Sequence, residues 1–372
     1  MAESAQFLVT TWLDHPNSAF VEWVAHHRAI GAGRIVVFLS DALETAQPLA
    51  AALQEAGLIE TRFISFDPAE AGETIRNAAL RAAELEAAEE AGWGLFLAPD
   101  EYLVLPRHDT LPALMADLGA VHALTAPVRR FFPGTFTRAH PHGPVLGGAT
   151  HRAPDPLADG NGGREWRSVV RLGLWPARLP GYPVGETRAG LSRLRWLNGS
   201  GAPMPTPLGE HTWQRDEGAF GADLAVIARL PVPSVETLLL RAGYVRPAKA
   251  QPMAEDLTLQ IEAGAGALVA DDAPARAAPA RAAEIDRILV LPGVRDSQEA
   301  QCREEADRIA AQRRKHGLWR AVLAHLDGKA DAPPPATQRP AETPEPAPAP
   351  APEAPTRPAA DPVKEHSRVP DA

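Results

Sequence analysis

The chain reads as an α/β protein built on a doubly wound, mixed sheet, and two patterns carry that reading. Over residues 7–105, apolar strand-like runs alternate with helix-like stretches. Such an alternation winds into one sheet through right-handed crossovers. The stretch Trp93–Leu105 (WGLFLAPDEYLVL) opens with a short apolar run over Trp93, Leu95, Phe96 and Leu97. A strand covered on both faces has that composition, whereas a half-exposed one alternates. The run stops at Ala98-Pro99, since proline has no N–H for a ladder, and Asp100 and Glu101 follow at once. Ligands of open α/β sheets sit beyond the carboxyl ends of strands. This acidic turn is therefore the first candidate site.

Phe7 to Trp12 (FLVTTW) is the first strand. In the turn that follows, Asn17 or Ser18 is placed to cap a helix over Ala19–Ile30. Phe20, Trp23, Val24 and His27 share one face of that helix, and Gly31-Ala32-Gly33 ends it. Of the pair His26-His27, one is expected to pack and the other to be solvated. Arg34–Leu39 (RIVVFL) is a second buried strand with Asp41 beyond its end. Thr45–Ala56 is a helix, Leu58–Phe66 a third strand, and Glu73–Ala91 a long helix stopped by Gly92. No G-x-G-x-x-G follows the first strand, so the usual dinucleotide-binding fold is not supported.

Beyond the acidic turn, Asp109–Leu118 is a short helix and Ala120–Phe132 a strand. Pro133–Gly163, rich in Gly, Pro and His, reads as a long loop of functional or mobile type. Ser168–Leu174 and Leu191–Leu197 are strands, the second closed by the tight turn Asn198-Gly199-Ser200-Gly201. Gly221–Leu230 is a strand or short helix and Val235–Arg241 a helix; Ala248–Asp272 is ambiguous. Ala280–Leu326 is helical with a break at Leu291-Pro292-Gly293. From Ala330 a Pro/Ala-rich tract has the composition of a disordered tail. The expected organisation is a domain over 1–247, a mainly helical extension over 248–329, and the tail over 330–372.

A 45% hydrophobic share in 372 residues is enough for a sizeable core, and a net charge of −10 argues against a general nucleic-acid binder. The single cysteine, Cys302, excludes an internal disulfide and a cysteine-based zinc site. No stretch approaches the roughly 20 apolar residues of a membrane-spanning helix, and no signal peptide opens the chain. A cytoplasmic protein without an integral membrane segment is expected.

Three stretches together resemble bacterial family-2-like glycosyltransferases of the GT-A type. They are EWVAHHRAIGAGRIVVFLSD (Glu22–Asp41), WGLFLAPDEYLVL, and RLRWLNGSGAPMP (Arg193–Pro205) followed by ADLAVIARLPVPSVETLLLRA (Ala222–Ala242). The resemblance implies a GT-A-like domain that binds a nucleotide sugar and transfers the sugar to a glycan or other hydroxyl acceptor. It implies Asp100 and Glu101 as catalytic acids, with Asp41, Asn198 and Arg229 around the donor. It also implies a divalent cation, Mg²⁺ or Mn²⁺, held by Asp100, because such an ion neutralises a departing diphosphate through hard oxygen ligands.

The sequence departs from the family where the chemistry is concentrated. Where the family writes D-x-D-E-F this chain has Ala98-Pro99-Asp100-Glu101-Tyr102, so the first acid is missing. Where the family writes N-H-Y it has Ala228-Arg229-Leu230. Arginine cannot ligate a metal, but its guanidinium pairs well with phosphate oxygens. Three readings stay open: a transferase with a weakened or metal-independent site, an inactive relative that binds a sugar nucleotide or glycan, and an interaction protein on the same scaffold. His140, His142 and His151 lie in the long loop, Asp216-Glu217 precede Gly218, and Arg188, Arg193 and Arg195 are spaced to line a phosphate pocket or an exposed strand face. No G-x-S-x-G elbow follows any strand, which disfavours a serine hydrolase.

Overall fold

The structure, a computed structural model, describes residues 6–13, 17–40, 47–64, 91–133, 145–155, 165–172, 195–204, 219–230 and 269–315. Contacts divide the chain into two units, Met1–Gly328 and Lys329–Ala372. The second, with the expected tail, lies outside the described residues, as do Asp41 and residues 73–90 of the helix expected over 73–91; Ala91 already belongs to a strand.

The first unit has the mixed α/β architecture expected of a GT-A-like fold. Its strands are β1 (Gln6–Leu13), β2 (Arg34–Ser40), β3 (Glu60–Ile64), β4 (Ala91–Phe96), β5 (Glu101–Val104) and β6 (Ala123–Pro133). They continue as β7 (Ala149–Arg152), β8 (Trp166–Arg171), β9 (Trp196–Asn198), β10 (Val226–Arg229) and β11 (Val269–Ala270). From one edge the order is β3-β2-β1-β4-β8-β6-β7-β11. The first four run parallel, and β8 is antiparallel to both β4 and β6. The long β6 also takes β9 and β10 alongside it in parallel, and β10 pairs antiparallel with β5.

The sequence pattern explains the burial. Val9 on β1 stands opposite Ile35 on β2 and Leu95 on β4, an apolar row across the sheet. The neighbouring row is buried too, since Leu8 is 1% and Val36 0% exposed. Both faces are covered, as the continuous apolar runs imply.

Five α-helices are described: α1 (Phe20–Ala29), α2 (Gln47–Glu55), α3 (Leu111–Leu118), α4 (Ala278–Leu289) and α5 (Val294–Lys315). Helix α3 begins where Thr110 Oγ1 accepts from Ala113 N at 3.3 Å, an N-cap followed by Pro112 in the first turn. Helices α4 and α5 are separated at the expected break, where Gly293 adopts φ +73°. Such a backbone strains any residue with a Cβ.

Two expectations change and two open readings resolve. Helix α1 is buried from Phe20 through His27, so it is not amphipathic and neither histidine is solvated. The reason is that α4 packs against it, covering the face that the local pattern leaves outward. The long loop over 133–163 contains a strand, β7, and the ambiguous 248–272 contains β11. These two short strands pair with each other, and β7 pairs with the end of β6. Non-local pairing of this kind leaves little trace in the local sequence. Gly221–Leu230 resolves in favour of a strand, β10.

Candidate functional site

Strand β4 ends at Phe96 and the chain turns through Ala98, Pro99 and Asp100 into β5. The turn is fixed from three sides. Glu101 N donates to Ala98 O at 3.0 Å, Asn17 Nδ2 donates to Pro99 O at 3.2 Å, and Leu230 N donates to Asp100 O at 2.9 Å. Trp23 Nε1, from the fully buried indole on α1, donates to Glu101 O at 2.8 Å. The acidic turn is thus held by α1, by the start of that helix and by the end of β10.

The two carboxylates have different environments. Asp100 is half-buried. Glu101 is 0% exposed and accepts from two guanidiniums. Arg167 forks onto it, Nε to Oε2 at 2.8 Å and Nη2 to Oε1 at 2.7 Å. Arg229 donates to Oε1 from Nε at 2.9 Å and again from Nη2, and Ala98 N donates to Oε2 at 3.0 Å. The register produces this arrangement, because Arg229 on β10 stands directly opposite Glu101 on β5.

The ion pairs continue outward. Arg229 Nη1 lies 2.5 Å from Glu165 Oε2, and Arg130 Nη2 lies 3.2 Å from Glu165 Oε1. Burial works against the charge of Arg229, but Glu101, then Glu165 and Asp100, outweigh it and raise its pKa above the usual arginine range. Burial likewise works against the Glu165 carboxylate, and Arg229 and Arg130 hold it below its ordinary value. The result is a chain of alternating charge, Arg167–Glu101–Arg229–Glu165–Arg130, running from the core to the surface. A second network lies beside it. Arg129 forks onto Asp155 with both bonds at 2.8 Å, and Arg152 reaches Asp271 at 2.7 Å and Asp155 at 3.2 Å.

Asn198 is 2% exposed. Its Oδ1 accepts from Ser200 N and Ala202 N, both at 3.0 Å, so this carboxamide oxygen builds its own turn. Gly199 O then accepts from Leu224 N at 2.8 Å and Ala225 N at 2.9 Å, while Ser200 Oγ donates to Asp223 Oδ2 at 2.7 Å. The approach is so close that a Cβ on Gly199 would lie 2.3 Å from Gly221 O. The turn clamps the segment leading into β10 and so sets the position of Arg229.

The structure therefore brings Asp100, Glu101 and Arg229 together and places Asn198 in the support of β10. Asp41, His140, His142, Arg188, Arg193, Asp216 and Glu217 lie outside the described residues. Arg195 is exposed, with Nη1 on Ala120 O at 3.4 Å, and His151 sits on β7 bonded to Thr150 at 2.9 Å. Arg167, Glu165 and Arg130 are members of the site that motif reading does not single out. The available signal was the charge itself. Arginines inside PVRRFF and EWRSVV require buried counter-charges, because a charged side chain is seldom buried unless paired.

The described donors do not fit a divalent cation. Both Glu101 oxygens already serve guanidiniums, and Arg229 brings positive charge next to Asp100. Among the described residues no three His, Cys, Asp or Glu side chains are grouped to hold a metal, and no helix is long and apolar enough to cross a membrane.

No protein-family model and no curated protein matches the chain. Among solved structures it is similar to S. aureus TarS residues 1–349, at 13% identity and TM-score 0.29, covering 84% of this chain and 92% of that one. A second match, to S. aureus TarS, has 17% identity and TM-score 0.22, and covers 41% of this chain and 25% of that one.

Proposed function

We propose that the chain is a glycosyltransferase-like protein that binds a nucleotide sugar through arginine rather than through a metal, and transfers the sugar to a hydroxyl acceptor. The observation that carries this reading is the convergence of half-buried Asp100 and Arg229 at the carboxyl end of β4. In the proposed step the bond from the anomeric carbon to the diphosphate breaks, and its electron pair leaves with the phosphate. The acceptor oxygen bonds to that carbon and gives up its proton. Arg229 faces the growing phosphate charge, for which a guanidinium is suited without any metal. Asp100 is the carboxylate assigned to the proton. Glu101 orients Arg229 and does not touch substrate, since its oxygens are already engaged.

The commitment of Glu101 to two guanidiniums also favours a second reading, an inactive relative that binds the donor without turnover. One experiment separates the two. Calorimetry with UDP-, GDP- and dTDP-sugars, with and without Mn²⁺, should show binding to one donor that is indifferent to the metal. Release of nucleoside diphosphate from that donor with glycan acceptors present then reports transfer. Binding without release selects the inactive relative, and no binding to any donor rejects both.

A further inference from the structure

We propose that Glu165 is an internal stand-in for the phosphate of the ligand, a carboxylate that occupies the anion position between Arg229 and Arg130 and must swing aside when a diphosphate binds. The inference rests on the reading of Arg229 as the diphosphate-facing residue and adds how access to it is controlled.

The two carboxylates on Arg229 are not equivalent. Glu101 is 0% exposed, anchored by the Arg167 fork and by Ala98 N, and has nowhere to move. The Glu165 side chain is 37% exposed, and the interactions that hold it are those with Arg229 Nη1 and Arg130 Nη2. Its backbone is fixed, since Glu165 O accepts from Val128 N at 2.9 Å. Only side-chain torsions need change for the carboxylate to reach solvent. Its departure presents two guanidiniums, one 15% and one 39% exposed, toward the same vacated position. Two guanidiniums converging on one point suit the tetrahedral, multiply charged oxygens of a phosphate better than a single carboxylate. Arg229 stays oriented throughout because Glu101 does not move. Glu165 then acts as a weak built-in competitor that holds the arginines in place without ligand and selects against singly charged anions.

The test is calorimetry on the full chain with inorganic pyrophosphate and with the donor identified above. Glu165→Gln should bind both about fivefold more tightly, the size expected when a half-exposed ion pair no longer competes. Acetate should bind neither protein measurably. Asp155→Asn, which removes the same charge from the neighbouring arginine network, should leave pyrophosphate affinity unchanged. Matching far-UV spectra and melting temperatures establish that the variants are folded, and Glu165→Ala provides a second removal of the carboxylate. If the wild type binds the donor and neither Glu165 variant binds pyrophosphate or donor more tightly, the stand-in role is overturned while the Arg229 reading stands. An equal gain for Asp155→Asn also overturns it, reducing the effect to net charge. If neither wild type nor variant binds any donor or pyrophosphate, both readings fall together.

Discussion

Glu101 joins the two arginines at the acidic turn. It is fully buried and neutralises two arginines that are themselves largely out of water, with side-chain exposures of 17% and 15%. Removing one partner of such a group is costly because it leaves charge buried without compensation. Glu101→Gln should therefore lower folding stability by about 3–5 kcal/mol, read from urea unfolding. A loss under about 1 kcal/mol would place the pairs in the class of surface bridges and undo the hub role. Asp100, one residue earlier, is half-buried and makes the opposite prediction. Asp100→Asn should leave the unfolding midpoint nearly unchanged while suppressing nucleotide-sugar turnover; a drop in stability matching that of Glu101→Gln would assign Asp100 to the scaffold. Reading the sequence as a pair of adjacent acids could not separate these roles. The difference comes from β10, which arrives from more than a hundred residues away and sets Arg229 directly opposite Glu101.

Helix α1 shows how packing overrides a local pattern. His26 Nε2 donates to Leu103 O at 2.7 Å, and His27 lies against Trp23 and Tyr102, with ring centroids 4.2 and 6.1 Å away. Burial, helped by Arg281, pushes the His26 pKa down to about 3, and burial together with the neighbouring His26 pushes His27 well below its ordinary value. The unfolded chain takes up both protons near pH 6.5 and the folded chain does not, so stability falls as pH drops through that value. Each histidine contributes a slope of up to about 1.4 kcal/mol per pH unit. Glu22, on the same helix and close to Arg281, acts in reverse. Burial raises its pKa, so it gains a proton in the folded state first and partly offsets the loss at lower pH. Urea unfolding between pH 7.5 and 5.5 should show this decline, and His27→Gln should roughly halve its slope. A decline that His27→Gln leaves unchanged would mean that His27 titrates alike in the folded and unfolded chain and contributes nothing to it. The helix itself was legible in the sequence from its spacing and its glycine stop, as were β1, β2, β4 and the break before α5. Its total burial was not, because periodicity reports one covered face and the second cover, α4, is supplied by residues about 250 positions later. Strands β7 and β11 escaped for the same reason, their pairing being wholly non-local.

The helical stretch near the C-terminus is bound to the sheet domain by more than apolar contact. Ile288, Val294, Cys302 and Ile309 are buried, α4 packs on α1 and α5 on α2. Arg281, 3% exposed, lies 3.3 Å from Glu22, whose carboxylate also accepts from Val145 N at 2.6 Å and Leu146 N at 3.0 Å. Gln298 Nε2 donates to Ser18 O at 2.6 Å and Glu305 accepts from Ser18 N at 3.3 Å, at the start of the same helix whose Trp23 steadies the acidic turn. The sequence suggests a boundary near residue 247, followed by a mainly helical extension. The packing ties that extension to the domain: its removal would expose α1, take Arg281 from Glu22, and loosen the turn that carries Asp100. The full chain should therefore unfold in one transition, with far-UV circular dichroism and tryptophan fluorescence coinciding. Arg281→Met should destabilise it by about 3–5 kcal/mol, the cost of stranding a buried carboxylate, and the double change Glu22→Gln with Arg281→Met should recover much of that loss. Two separated transitions, with fluorescence unchanged in the first, would show that the helices fold as an independent module. The acidic turn would then owe nothing to them.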